Sequence, residues 1–209
     1  MSIVKKIKID GKEILFFGTV KGLVSERDSL RKVFEDFVPD MVMVSMSPEE
    51  MEGLEKYLKE PFEIDPDDYE VIYAKKLERF GEVGLPVPTY LELFSLLKRY
   101  NFDIVPIDMP DMDYTELFTR KIDVIKLIRF ELRKRKVWKK EFKAKTPEEF
   151  AIEWDKEINR IREFMDIERE RERYMAMKIR NAVNNCKNRR CMVILEVERM
   201  EGVLGNLLS

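Results

Sequence analysis

The stretch "EILFFGTVKGLVSERDSL", residues 13–30, decides the fold. Its apolar first half ends at Gly18-Thr19 and reads as a buried strand. Ser25, followed by Glu-Arg-Asp, carries the hydroxyl and acidic residues of a helix start. A strand that runs through a short loop into a helix is the repeating unit of α/β folds. Lys21 lies in that loop. In open parallel sheets the loops beyond the strand carboxyl ends hold the ligand.

Upstream, "KIKIDGKEILFF" sets Asp10-Gly11 between two strand-like runs, a hairpin signal. Downstream, the runs at 41–46, 102–108 and 191–197 are short and apolar enough to be buried strands. "SPEE" at Ser47 and "TPEE" at Thr146 each offer a capping hydroxyl, a proline at the first helical position and a glutamate that reaches back. "TYLE" at Thr89 repeats the hydroxyl-x-x-acid spacing without the proline. Helices are expected at about 26–37, 48–59, 90–100 and 147–185. Strands alternating with helices predict an α/β fold with a mixed, largely parallel central sheet, flanking helices and an N-terminal β-hairpin. Residues 115–185 read as two long antiparallel helices inserted before the last strand. The 209 residues make one domain, 1–209.

Composition narrows the function classes. The formal net charge is −2, so no global field draws the chain to nucleic acid or to a membrane. No apolar run reaches the roughly 18 residues of a membrane span. The N-terminal segment lacks the apolar centre of a signal peptide, so a cytoplasmic location without a membrane partner is expected. Charged residues make up 38% of the chain and glutamine is absent, a balance that suggests adaptation to high temperature. Histidine is absent too, which removes Ser-His and Cys-His relays and the commonest zinc ligand. Cys186 and Cys191 do not make a metal site, and their spacing allows a disulfide. No phosphate-binding glycine motif is present.

If the strands are parallel, Lys21, Ser45, Asp108 and Arg199 meet on one rim. The order of segments resembles the TraB/PrgY family, within the superfamily that includes Tiki-type metalloproteases and erythromycin-esterase-like proteins. The resemblance rests on "LFFGTVKGLVSERDSLRKVFEDFVPDMVMVSM", "GEVGLPVPTYLELFSLLKRYNFDIVPIDMP", "ERERYMAMKIRNAV" and "CMVILEVERMEGVLGNLL", which together span the chain. It implies a site at the rim built on Gly18, Thr19, Glu82, Asp108, Glu170, Arg171 and Arg173. It also implies a metal held by two histidines and a glutamate. Here Lys21 and Arg199 stand for the histidines and Ser45 for the glutamate, while Glu196 replaces a glycine. Protonated Lys and Arg have no lone pair to donate and bring positive charge against a cation.

The expectation is therefore a TraB-like protein without metal or other cofactor, serving as a binding, scaffold or regulatory module. Gly18, Thr19, Lys21, Ser45, Arg171, Arg173 and Arg199 are its candidate binding residues. Glu82 and Asp108 are expected to pair with Lys21 or Arg199, and Arg199 equally with Glu196 or Glu198. The alternative is a peptidase-like hydrolase with Lys21 as base or anion clamp and Glu82 or Asp108 as partner. A second alternative uses residues 133–145, where eight basic residues interleave with Trp138 and Phe142, to bind an anionic ligand, lipid or nucleic acid. With no overall basic excess, nucleic acid is the weaker partner. A homodimer and a small anionic ligand are the partners the reading allows.

Overall fold

The computed structural model describes residues 3–9, 11–185 and 190–208. Five strands, β1 (Ile3–Ile9), β2 (Lys12–Thr19), β3 (Met41–Val44), β4 (Asp103–Pro106) and β5 (Cys191–Glu196), form one sheet in the order β1-β2-β5-β3-β4. β1 pairs antiparallel with β2, and the other neighbours are parallel. The α/β expectation, hairpin included, holds. Gly11 takes the left-handed conformation of a tight turn, φ 82°. Asp10 and Cys186 lie outside the described residues. Cys191 is buried in β5.

The helices are α1 (Glu26–Phe37), α2 (Pro48–Lys59), α3 (Asp68–Leu77), α4 (Pro88–Leu97), α5 (Asp111–Lys121), α6 (Val124–Lys139), α7 (Pro147–Ile158), α8 (Arg162–Asn185) and α9 (Met200–Leu208). Strand alternation sorts the core into two layers. Phe16, Met43, Val193 and Leu195 face α8 and α9, while Phe17, Val42, Val44 and Ile194 face α1 and α4. Both faces being covered is what parallel sheets require. A third cluster, with Val20, Val197, Phe150 and Trp154, packs α3 and α7 over the carboxyl end of the sheet.

Several local expectations change. The segment before β5 holds α5 to α8, not two helices. Asp123 caps α6 by accepting from Lys126 N at 2.9 Å, and the chain leaves helical geometry again at 140–146 and near Asn159. α3 was not expected, although Asp67 and Glu70 form a complete capping box. Ser47 makes the cap its sequence promised, while Ser25 makes no capping bond. Thr89 does not cap α4 either. Pro88 already occupies the first turn, and the buried Thr89 hydroxyl meets the Thr19 hydroxyl at 2.7 Å.

Candidate functional site

Beyond the strands the four parallel chains stay in step. Val197 N donates to Thr19 O at 3.0 Å, Ser45 N to Ile194 O at 3.1 Å, Ile107 N to Val44 O at 2.9 Å and Asp108 N to Met46 O at 3.0 Å. The loops therefore leave the sheet on one rim. There a cavity of about 500 Å³ opens under α3, lined by Lys21, Glu50, Tyr73, Asp108, Arg171 and Glu198 among others. That volume suits a small molecule.

Two arginines organise the wall. Arg171 reaches from α8 to grip both oxygens of Asp108, and it also donates to Glu168 at 3.1 Å. Its guanidinium lies 5.6 Å from the centre of the Tyr114 ring. Arg199 forms ion pairs with Glu168 at 2.6 Å and Asp155 at 3.1 Å, with Glu172 at 3.9 Å. Glu168 thus bridges the two guanidiniums. Burial works against the charge on Arg199, but Glu168 and Asp155 outweigh it and hold its pKa above the ordinary value. Arg171 is raised too, because Glu168 and Asp108 outweigh its burial. The acids do not show the mirror image. Burial raises Asp155 although Arg199 opposes it, and pushes Glu172 up to about 7. One guanidinium shared among three carboxylates does not offset their desolvation and mutual repulsion.

Glu198 is the most perturbed acid on the cavity wall. Burial, then the neighbouring Glu196, pushes it up to about 7. Its Oε2 is buried without a hydrogen-bond partner among the described residues, as is the Tyr73 hydroxyl. Burial also raises Glu50, with Lys21 opposing, even though Glu50 accepts from Ser47 N at 2.8 Å. Sequence reasoning passed over Tyr73, Asp155 and Glu168, and it named Glu50 only as a capping residue and Glu198 only as an ion-pair partner for Arg199. Glu50 was legible as the third helical residue behind the Ser47 cap, which fixes it beside the end of β3.

The expected rim residues divide into three groups. Lys21, Asp108 and Arg171 line the cavity, and half-buried Lys21 makes no salt bridge or hydrogen bond among the described residues. Gly18, Thr19, Ser45 and Arg199 lie among the groups that support it. A Cβ on Gly18 would collide with Met200 Sδ, so glycine there lets α9 approach β2. Ser45 Oγ lies 3.2 Å from the Tyr90 hydroxyl, which donates to Glu196 at 3.1 Å. Glu82 and Arg173 stand outside. Glu82 is exposed and contributes its backbone carbonyl to Val24 N; Arg173 is exposed and pairs with Glu170 at 3.1 Å.

The expected pairings also shift. Asp108 meets Arg171 rather than Lys21 or Arg199, and the ion-pair partners of Arg199 are Asp155, Glu168 and Glu172 rather than Glu196 or Glu198. Ser47 Oγ accepts from Glu50 N and donates to Asp111, so its hydroxyl is engaged in the α2 cap and is not paired with Lys21. Among the described residues no three Cys, Asp or Glu side chains are arranged to hold a metal ion. In the basic stretch, Arg133, Lys134 and Lys140 pair with carboxylates, and Phe142 is buried rather than free to stack on a base. No helix among the described residues is long and apolar enough to cross a membrane. No family model matches the chain, and no curated protein matches its sequence.

Proposed function

We propose that the chain is a divergent TraB/PrgY-like protein that binds a small polar ligand in the rim cavity and does not hydrolyse it. One observation carries this reading: the rim carboxylates Asp108, Asp155, Glu168 and Glu172 are already engaged by Arg171 and Arg199. The metal that the resemblance implies does not fit these residues. A cation placed there would face two guanidiniums and an ammonium, and Ser45 offers a neutral hydroxyl held among Tyr90 and a backbone carbonyl. The cavity beside this network remains open and keeps polar groups to meet a ligand, Lys21 above all. A cytoplasmic location, a homodimer and a high-temperature origin belong to the same proposal.

A rewired hydrolase keeps one point in its favour, since Lys21 lines the cavity as a base or anion clamp must. Its acidic partners are lost, however, with Glu82 outside and Asp108 taken by Arg171. Metal analysis of the purified protein, together with a peptidase and esterase screen with and without chelator, separates the readings. The proposal expects substoichiometric metal and no turnover. Stoichiometric zinc or manganese with chelator-sensitive hydrolysis would overturn it. Metal-independent turnover abolished by Lys21→Met would establish the rewired hydrolase.

A further inference from the structure

Helix α6 is built against the usual rule for a surface helix. Its inner face is apolar, with Val137 buried and Phe130 stacked on Phe164 at 4.4 Å between ring centres. At 100° per residue the opposite pole falls on Ile128, with Val124, Ile125 and Leu132 beside it. These four are 56%, 70%, 71% and 53% exposed, respectively. Scattered exposed aliphatics need no explanation, but a contiguous row on one helix pole does. A helix apolar on both sides is one that becomes covered.

The charges around the row indicate by what. Further along the same pole come Arg135 and Lys139, with Arg129 and Lys136 on the flank. None of the four makes an ion pair among the described residues. Arg129 and Lys136 join Arg160 and Arg162 in a groove of about 670 Å³ whose only lining acid is Glu163. The cover must therefore be anionic. A second copy of this helix would set cations against cations. The face is also small: sixteen residues at 1.5 Å each, roughly 10 Å wide, present on the order of 240 Å², well below the roughly 800 Å² per partner of a stable protein interface. Nucleic acid stacks on aromatic and guanidinium faces, and has no use for a row of branched aliphatics. Basic, amphipathic helices that bury a few aliphatic side chains at the headgroup boundary match all three features.

We propose that the outer face of α6 docks on an anionic membrane surface, with Val124, Ile125, Ile128 and Leu132 entering the headgroup boundary and Arg135, Lys136 and Lys139 meeting lipid phosphates. The helix lies on the bilayer and does not cross it. The interaction is independent of the rim cavity.

The test uses the full chain with vesicles of phosphatidylcholine, alone or mixed with phosphatidylserine, read by co-sedimentation and tryptophan emission. The chain has two tryptophans; Trp154 is buried, and Trp138 on α6 is 44% exposed and reports the contact. Binding is expected only to the mixed vesicles, with a blue shift that Trp138→Phe removes and with a steep loss in salt. Arg135→Glu with Lys139→Glu should weaken it about 25-fold or more, at about five-fold per basic residue lost. Ile125→Asp with Ile128→Asp should weaken it at least about tenfold, at unchanged circular dichroism, since both positions are exposed. No binding to the mixed vesicles at low salt, or equal binding to neutral ones, overturns the proposal. So does concentration-dependent dimerisation abolished by Ile128→Asp, which would make a second copy the cover. Binding to duplex DNA that the isoleucine variants leave intact, without vesicle binding, would assign the basic face to nucleic acid instead.

Discussion

Replacing Glu198 by glutamine should flatten the pH dependence of stability. Glu198 is half-buried with its Oε2 enclosed, and Glu196 and Asp155 add to the desolvation while Arg199 and its own backbone N–H oppose it. Its pKa rises from 4.5 unfolded to about 7 folded. A raised folded pKa means that the native state holds the proton more tightly. That stabilisation is full below about pH 4.5 and is lost as pH rises through 7. For a shift of this size the linkage integral between pH 5 and pH 8 is about 2.5 kcal/mol. Glutamine keeps the shape and cannot ionise. Urea melts of both proteins at pH 5, 6, 7 and 8 measure the difference directly. The gap between variant and parent should move by about 2.5 kcal/mol in favour of the variant from pH 5 to pH 8. Glu172 and Glu50 titrate in both proteins, and their contributions largely cancel. A gap that stays constant across this range would refute the burial argument for Glu198, and with it the electrostatic description of the rim.

Arg199→Met leaves Asp155, Glu168 and Glu172 without their shared cation and should cost about 3–5 kcal/mol at pH 8 by urea denaturation. The loss should shrink toward pH 5, because burial already raises Asp155 and Glu172, and removing the guanidinium that opposes it raises them further. Thr89→Val should cost about 1–3 kcal/mol by stranding the Thr19 hydroxyl, whereas changing both threonines to valine should cost less than the single change. Gly18→Ala should lower stability by about 1–3 kcal/mol, and Met200→Ala, which removes the colliding side chain, should lessen that penalty in a double-mutant cycle.

The sheet was legible because its signals are local. Val42, Met43 and Val44 are apolar on both faces, as a central parallel strand must be. The Ser-Pro-Glu-Glu segment fixed the start of α2 through its proline and its reciprocal cap. Thr89 misled because the same pattern sits one residue inside a helix that Pro88 had already begun. The breaks within 115–185 were written in Asp123 and its bond to Lys126 N, but the apolar periodicity on either side hid them. The rim followed from parallel order alone, which placed Lys21, Ser45, Asp108 and Arg199 at the strand ends. The partners did not follow. Asp108 and Arg171 are 63 residues apart, and which carboxylate a guanidinium selects depends on how α8 crosses the sheet. The place of Glu198 on the cavity wall was hidden for a related reason: it is one of two acids in "LEVERM", and only desolvation of its carboxylate sets it apart.

Guanidinium groups, rather than a metal ion, are the cations paired with the carboxylates of the rim. Anomalous diffraction from crystals soaked in manganese or zinc tests it most directly. No anomalous peak is expected within coordination distance of Asp108, Asp155, Glu168 or Glu172, with Arg171 still paired with Asp108. A well-occupied metal peak at those carboxylates, with either arginine displaced, would contradict it.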